Sequence, residues 1–309
     1  MFRKASVFLI SLAFAASFAA AADVAPAGAK LSAAEIADKN VAARGGLQAW
    51  RAVQTMSLAG QLGAGGNQRA TLQVPAPLRT GLSANQAQRT GQQQAAIPGA
   101  ARPVEEVQLP FLMELARPRK LRFELQFNGD TAIQVFDGAN GWKLRPFLGR
   151  RVVEPYTADE MKTTVTQADL DGPLVDYAAK GTKVELDGME KVEDRDTYKL
   201  KLTLKNGAVT HVWIDAQTFL ETKIDGTPRR LDGTDHPVEV YFRDYRPVSG
   251  LQIPFVLETK VLPVGRTAQG FRDTPVPVER TIIDKVVVNP KFDDALFSKP
   301  EIGLASNAR

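Results

Sequence analysis

The 309-residue chain has no cysteine. That excludes disulfides, thiol catalysis, thiolate zinc sites and thioether lipid anchors. Histidine is nearly absent as well. His211 and His236 are the only imidazoles, too few for a multi-histidine metal centre within one chain. No Gly-x-Ser-x-Gly elbow occurs, and neither Gly-x-Gly-x-x-Gly nor a Walker-type Gly-Lys-Ser/Thr stands between a strand and a helix. Excess charge is small: 39 Lys+Arg against 35 Asp+Glu leave +4, which does not point to a nucleic-acid partner. Long apolar runs are missing too. The one candidate, from Val7 to Phe18, falls short of the ~20 residues that span a bilayer.

What is present begins with an address. Arg3 and Lys4 precede the apolar run, and Ala20-Ala21-Ala22 stand before Asp23. A basic start, a short apolar middle and a small-residue cleavage site predict a secretory signal peptide over 1–22, followed by a flexible leader over 23–31. Cleavage removes two cations from the net charge. A secreted chain without cysteine fits a bacterial periplasm better than a disulfide-bonded extracellular scaffold.

Ser32-Ala33-Ala34-Glu35 is a capping box that opens a helix through Ile36 and Val41. Gly45-Gly46 should stop it, because glycine takes the left-handed conformation cheaply. Leu47, Trp50 and Val53 suggest a further turn, with a strand from about Thr55. Residues 63–103 then change character: they are rich in Gly, Gln, Ala and Pro, and Arg69, Arg79, Arg89 and Arg102 are their only charges. Too few large apolar groups occur between Leu82 and Ala101 to offset the entropy of ordering them. The stretch reads as a mobile insertion within a single domain over 32–300, with Ala70 to Val74 a candidate strand and 301–309 a frayed tail.

From about Val107 the pattern has period two. Leu121, Phe123, Leu125 and Phe127 alternate with Arg122, Glu124 and Gln126. The same holds for Leu200 and Leu202, for Val238, Val240 and Phe242, and for Leu251, Ile253, Phe255 and Leu257. Such alternation gives an antiparallel sheet one dry face and one wet face. Turn pairs such as Asp137-Gly138, Asn140-Gly141, Asn206-Gly207 and Ser249-Gly250 join the runs. Thr157-Ala158-Asp159-Glu160 opens a helix in mid-chain, and Asp169 is a candidate start for another that reaches Tyr177. The fold class expected is mainly β with α: about ten strands in a curled antiparallel sheet forming an incomplete β-barrel, with an N-terminal helix and a helical crossover as lid.

Chemistry is thinly provided. His211 lies mid-strand in Thr210-His211-Val212-Trp213. His236 falls in Asp232-Gly233-Thr234-Asp235-His236-Pro237, a loop whose composition suits a turn as well as a metal site. The pairs Glu105/Glu106, Asp159/Glu160 and Asp293/Asp294 have nothing that sets them across a cleft. No catalytic residue, metal site or cofactor is therefore assigned. What remains is the dry face of the sheet. Phe123, Leu125, Phe127, Leu200, Leu202, Val240, Phe242, Ile253, Phe255 and Leu257 would line it, either as the wall of a cavity for an apolar ligand or as an ordinary core filled by helices.

The order of features resembles the LolA/LolB-like family of periplasmic lipoprotein carriers, including outer-membrane lipoprotein-sorting proteins. Ala33-Ala34-Glu35-Ile36 through Gly45-Gly46-Leu47 and Trp50 is similar to that family's N-terminal helix and turn, and Thr55 through Gly60 to its first strand. Asp137-Gly138 with Gly141-Trp142, and Ile214-Asp215 with Thr218 through Lys223, are similar to its hairpins. Phe242-Arg243-Asp244-Tyr245-Arg246-Pro247-Val248-Ser249-Gly250-Leu251-Gln252-Ile253-Pro254 resembles its strand–turn–strand signature. The resemblance spans roughly 32–290 and implies a half-open barrel with helices as lid. It implies carriage of a lipid or the acyl chains of a lipoprotein without covalent chemistry, with transient contact with inner- or outer-membrane components. Without cysteine the chain would be the soluble type, not the lipid-anchored one. A sensor or protein-interaction module of the same fold is the alternative, and an enzyme using a strongly perturbed carboxylate or His236 in the cleft a third.

Overall fold

The period-two segments become strands in the structure, a computed structural model that describes residues 31–65, 106–146, 150–231, 233–265 and 276–301. The expected signal peptide, nearly all of the leader, most of the insertion and most of the tail lie outside the described residues.

The strands are β1 (Thr55–Gly65), β2 (Glu106–Ala116), β3 (Lys120–Phe127), β4 (Asp130–Phe136), β5 (Gly141–Arg145) and β6 (Arg150–Pro155), then β7 (Lys183–Val192), β8 (Arg195–Thr203), β9 (Val209–Asp215), β10 (Glu221–Leu231), β11 (Thr234–Val248), β12 (Leu251–Val261) and β13 (Glu279–Val288). They form one 13-stranded sheet in the order β6-β5-β4-β3-β2-β1-β13-β12-β11-β10-β9-β8-β7. The described pairings are antiparallel. The chain thus starts at the middle of the sheet and meanders out to one edge. It then crosses to the opposite edge and meanders back until β13 pairs with β1. The edges β6 and β7 do not pair with each other, so the barrel is incomplete.

Bulges bend the sheet. Register shifts fall at Ala59/Gly60 in β1, Leu186/Gly188 in β7 and Gly226/Arg229 in β10, and each extra residue increases local twist. The curl is strong enough for Arg229 of β10 to reach Glu279 of β13 across the two intervening strands, with N–O distances of 2.5 and 2.7 Å.

Both capping boxes form. Ser32 caps α1 (Ala33–Ala43) and Thr157 caps α3 (Ala158–Gln167), each with its reciprocal glutamate. Gly45, at φ +116°, ends α1 and lets it abut the β11–β12 turn. A Cβ there would sit 3.1 Å from Leu251 Cα, and Arg44 O already accepts from Gln252 N at 3.0 Å. Then α2 (Leu47–Ala52) delivers Trp50. The 3-10 turn Asp294–Phe297 packs Leu296 and Phe297, with Phe292, against Ile133, Val135 and Leu144.

Three expectations change. Among the described residues the sheet has thirteen strands, not about ten, because short strands such as β5 and β6 carry little alternation of their own. Residues 63–65 prolong β1, and the rest of the 63–103 stretch expected to contain the insertion lies outside the described residues. Residues 168–181 form turns where a helix was expected from Asp169. Pro173 lacks an amide hydrogen, and Gly172 and Asp176 take positive φ (+79° and +51°), which breaks helical pairing. Finally, His236 lies within β11, not in a loop, because β10 and β11 stay paired as far as Leu231 and Thr234.

Candidate functional site

Residues directly opposite in an antiparallel ladder share a face. Phe123 stands opposite Met113, Met113 opposite Leu58, and Leu58 opposite Val286. Leu125 faces Phe111, which faces Gly60, which faces Ile283. Leu62 faces Thr281, Thr281 faces Leu257, and Leu257 faces Phe242. Val240 stands opposite Ile224, Ile224 opposite Val212, and Val212 opposite Leu200. Phe127, Leu202, Ile253 and Phe255 follow by alternation. All ten residues expected to line the dry face therefore lie on one side of one sheet.

Helices cover part of that side. Trp50 and Leu47 of α2, Met161 and Val165 of α3, and Leu170 and Val175 after α3 belong to one cluster with Met56, Leu115, Leu121, Phe136, Leu251, Ile253 and Phe255. Leu200 and Leu202 are wholly buried, and Ile253 and Phe255 nearly so. Those four are sealed. Phe123, Leu125, Phe127, Val240, Phe242 and Leu257 stay partly exposed. Beyond them, at the end of β2–β4 away from the helices, lies a half-open pocket of about 500 Å³. Leu109, Pro110 and Phe127 supply its apolar lining, and Gln126, Asn128, Asp130 and Thr131 its polar lining. This volume lies within the usual range for small-molecule sites.

The covering segment is tied down by charge. Arg117, in the β2–β3 turn, donates to Asp171 Oδ2 at 2.6 Å, to Trp50 O at 3.0 Å and to Val53 O at 2.7 Å. Lys180 Nζ donates to both oxygens of Asp169 at 2.9 Å, to Asp171 Oδ1 at 2.6 Å and to Gly172 O at 2.6 Å. Arg44 stacks 4.4 Å over the Trp50 ring and reaches Asp171 O and Glu221 Oε1, and Glu221 also accepts from the Tyr245 hydroxyl. Burial pushes the Asp169 carboxyl up to about 6, against the opposing pull of Lys180. Burial also opposes ionisation of Asp171, but hydrogen bonds from Asp169, Lys180 and Arg117 outweigh it and hold that carboxyl below its usual range. Sequence reasoning missed this network. Its members come from residues 44, 117, 169–180 and 221–245, and only the i, i+2 carboxylates Asp169 and Asp171 form a local signal.

The histidines do not converge. His236 is opposite Arg229 on the apolar side, fully buried, with Nδ1 3.1 Å from Leu262 O. His211 points to the other side, with Nδ1 2.8 Å from Asp225 Oδ2. No group of three metal-ligating side chains occurs among the described residues. Two of the acidic pairs do structural work: Glu160 closes its capping box and pairs with Lys143, and Asp293 caps the C-terminal 3-10 turn; Glu105 lies outside the described residues.

No family model matches the chain, and no curated protein matches it. Among solved structures the chain is similar to a LolA superfamily protein from Nitrosomonas europaea, at 12% identity and a TM-score of 0.49, covering 87% of this chain and 99% of that one. It is similar to a DUF1329 family protein from Desulfovibrio piger, at 12% identity and a TM-score of 0.46, covering 85% and 95%. It is also similar to a domain from Vibrio parahaemolyticus provisionally assigned as an outer membrane lipoprotein-sorting protein, at 11% identity and a TM-score of 0.46, covering 86% and 96%.

Proposed function

We propose that the protein is a periplasmic carrier or binding protein for a lipid or for the acyl chains of a lipoprotein, held without covalent chemistry on the open part of the apolar face. One observation carries the reading. Among the described residues, the dry side of the sheet is continuous across β3, β2, β1, β13, β12 and β11, yet the helices seal only one end of it. Phe123, Leu125, Phe127, Val240, Phe242 and Leu257 remain partly in water, an unfavourable arrangement unless something apolar covers them. An acyl chain leaving a bilayer loses about 0.8 kcal/mol of shelter per methylene, and such a wall restores it. A signal-like start supports the periplasm as the compartment of this exchange, with cargo passing between membrane components through brief contacts.

The test is direct. Protein prepared under native conditions is extracted and its organic phase analysed by mass spectrometry, and displacement of a fluorescent fatty acid is titrated. Leu125→Asp and Leu257→Asp should weaken binding at least tenfold, whereas the exposed Met189→Ala should leave it unchanged. A protein that yields no lipid and takes up no probe refutes the reading.

A further inference from the structure

The segment that seals one end of the apolar face is pinned by shared buried charge as well as by apolar packing. We propose that Asp169 and Asp171, with Lys180 and Arg117, form a pH-operated latch on the crossover after α3, tighter in acid than at neutral pH, that regulates access to the end of the apolar face that the crossover covers. The regulatory half of this proposal rests on the ligand-binding reading; the latch itself does not.

Geometry supplies the device. Two carboxylates two residues apart share the single ammonium of Lys180, and the more buried of them also takes Arg117. Asp171 is 2% exposed and Asp169 19%. Arg117 in turn grips the backbone of α2 and of the residue after it, so the same cation joins the crossover to the N-terminal helices. Releasing the crossover must pull these groups apart. The other charged groups around the cluster are Arg44, bound to Asp171 O and Glu221, and the Arg51–Asp176 pair at 2.5 Å. Neither histidine faces it: His211 pairs with Asp225, and His236 contacts Leu262 O.

The sign follows from linkage. In the closed form Asp169 ionises at about 6, because burial and the neighbouring Asp171 oppose its charge. Freed into water it would ionise near the ordinary carboxylate value of about 3.9. The closed form therefore holds the proton more tightly. Its advantage is complete below the ordinary value and fades as pH rises through 6. Asp171 is shifted the other way, so its contribution is already constant above that range. Between pH 5 and pH 8 the opening equilibrium should rise about tenfold.

Hydrogen exchange of the full chain without ligand reads this out. After correction for intrinsic exchange, peptides from 158–180 should open about tenfold more at pH 8 than at pH 5, while peptides from β12 stay unchanged. In D169N the 158–180 profile should become flat, because the amide mimics the neutral carboxyl. An uncharged apolar dye should enter the wild-type protein faster at pH 8 than at pH 5, and D169N should lose that difference. A flat wild-type exchange profile overturns the latch, even should D169N fail to fold. So does a D169N profile that runs parallel to the wild type. A protein that opens with pH yet takes up no dye or lipid sinks the ligand reading and its regulation while leaving the latch standing. One that takes up dye equally at both pH values while opening with pH overturns the claim that the latch controls access.

Discussion

Replacing Gly60 by alanine tests the join on which the whole sheet depends. Gly60 lies at the bulge where β1 meets β13, the one pairing among the described strands that joins the two arms of the meander. A methyl group there would collide with the carbonyl oxygen of Ile282 and stand 2.9 Å from Ile283 Cα. Both are backbone atoms, so no side-chain rotation relieves the clash. The strands must separate locally, which endangers the pairs Gly60–Ile283, Gln61–Ile282 and Leu62–Thr281. Overpacking of this kind costs about 1–3 kcal/mol, and each ladder hydrogen bond lost adds about 1 kcal/mol. A total of about 3–5 kcal/mol should lower Tm by roughly 10 °C in a domain of this size. Thermal unfolding followed by far-UV circular dichroism measures it, with the exposed Met189→Ala as a control that should stay within about 0.5 kcal/mol. A Gly60→Ala protein melting within a degree or two of the wild type would show that the seam yields freely, and the close-approach argument would be wrong.

Further expectations follow from the covering helices. Trp50→Ala should destabilise by about 3–5 kcal/mol in urea titration, since the indole is 1% exposed and its N–H donates to Arg44 O at 3.2 Å. Arg117→Met leaves Asp171 buried without one of its cations and should cost about 3–5 kcal/mol near neutrality. Because the Asp171 carboxyl is held below its usual range, the stability it provides is present above the ordinary carboxylate value and is lost as pH falls. The gap between Arg117→Met and wild type should therefore shrink in denaturation curves taken toward pH 3. Thr157→Ala removes the cap of α3 and should cost about 1 kcal/mol, with raised hydrogen exchange in the first turn of that helix.

The parts of the fold that are visible in sequence are those governed by local rules. Ser32 with Glu35, and Thr157 with Glu160, announce helix starts because both groups of a capping box lie within four residues. Leu121 through Phe127 and Leu251 through Leu257 announce strands because one face is dry. β2 is harder to read: Leu109-Pro110-Phe111-Leu112-Met113 is almost continuously apolar, so periodicity does not separate its faces. The candidate wall was legible as a set of alternating residues, but which of them a helix would seal was not. Leu200 and Leu125 have the same local pattern, yet the first is wholly buried and the second partly exposed, a difference that tertiary packing sets. The charge network was illegible because Arg44, Arg117, Lys180 and Glu221 meet through tertiary topology alone.

The position of β13 has a consequence for how the molecule is made. A chain emerging from its N-terminus completes β1–β6 with one flank of β1 bare, and later β7–β12 with one flank of β12 bare. Among the described strands, only β13, of ten residues, satisfies both edges. Until it arrives, two half-made sheets present unpaired amides and carbonyls, the kind of template that recruits the wrong partner. Such distant first-to-last pairing is slow to find, because the intervening loop must close before any contact repays it. A chain truncated before Glu279 should for that reason fail as a whole and aggregate, not fold with one strand missing.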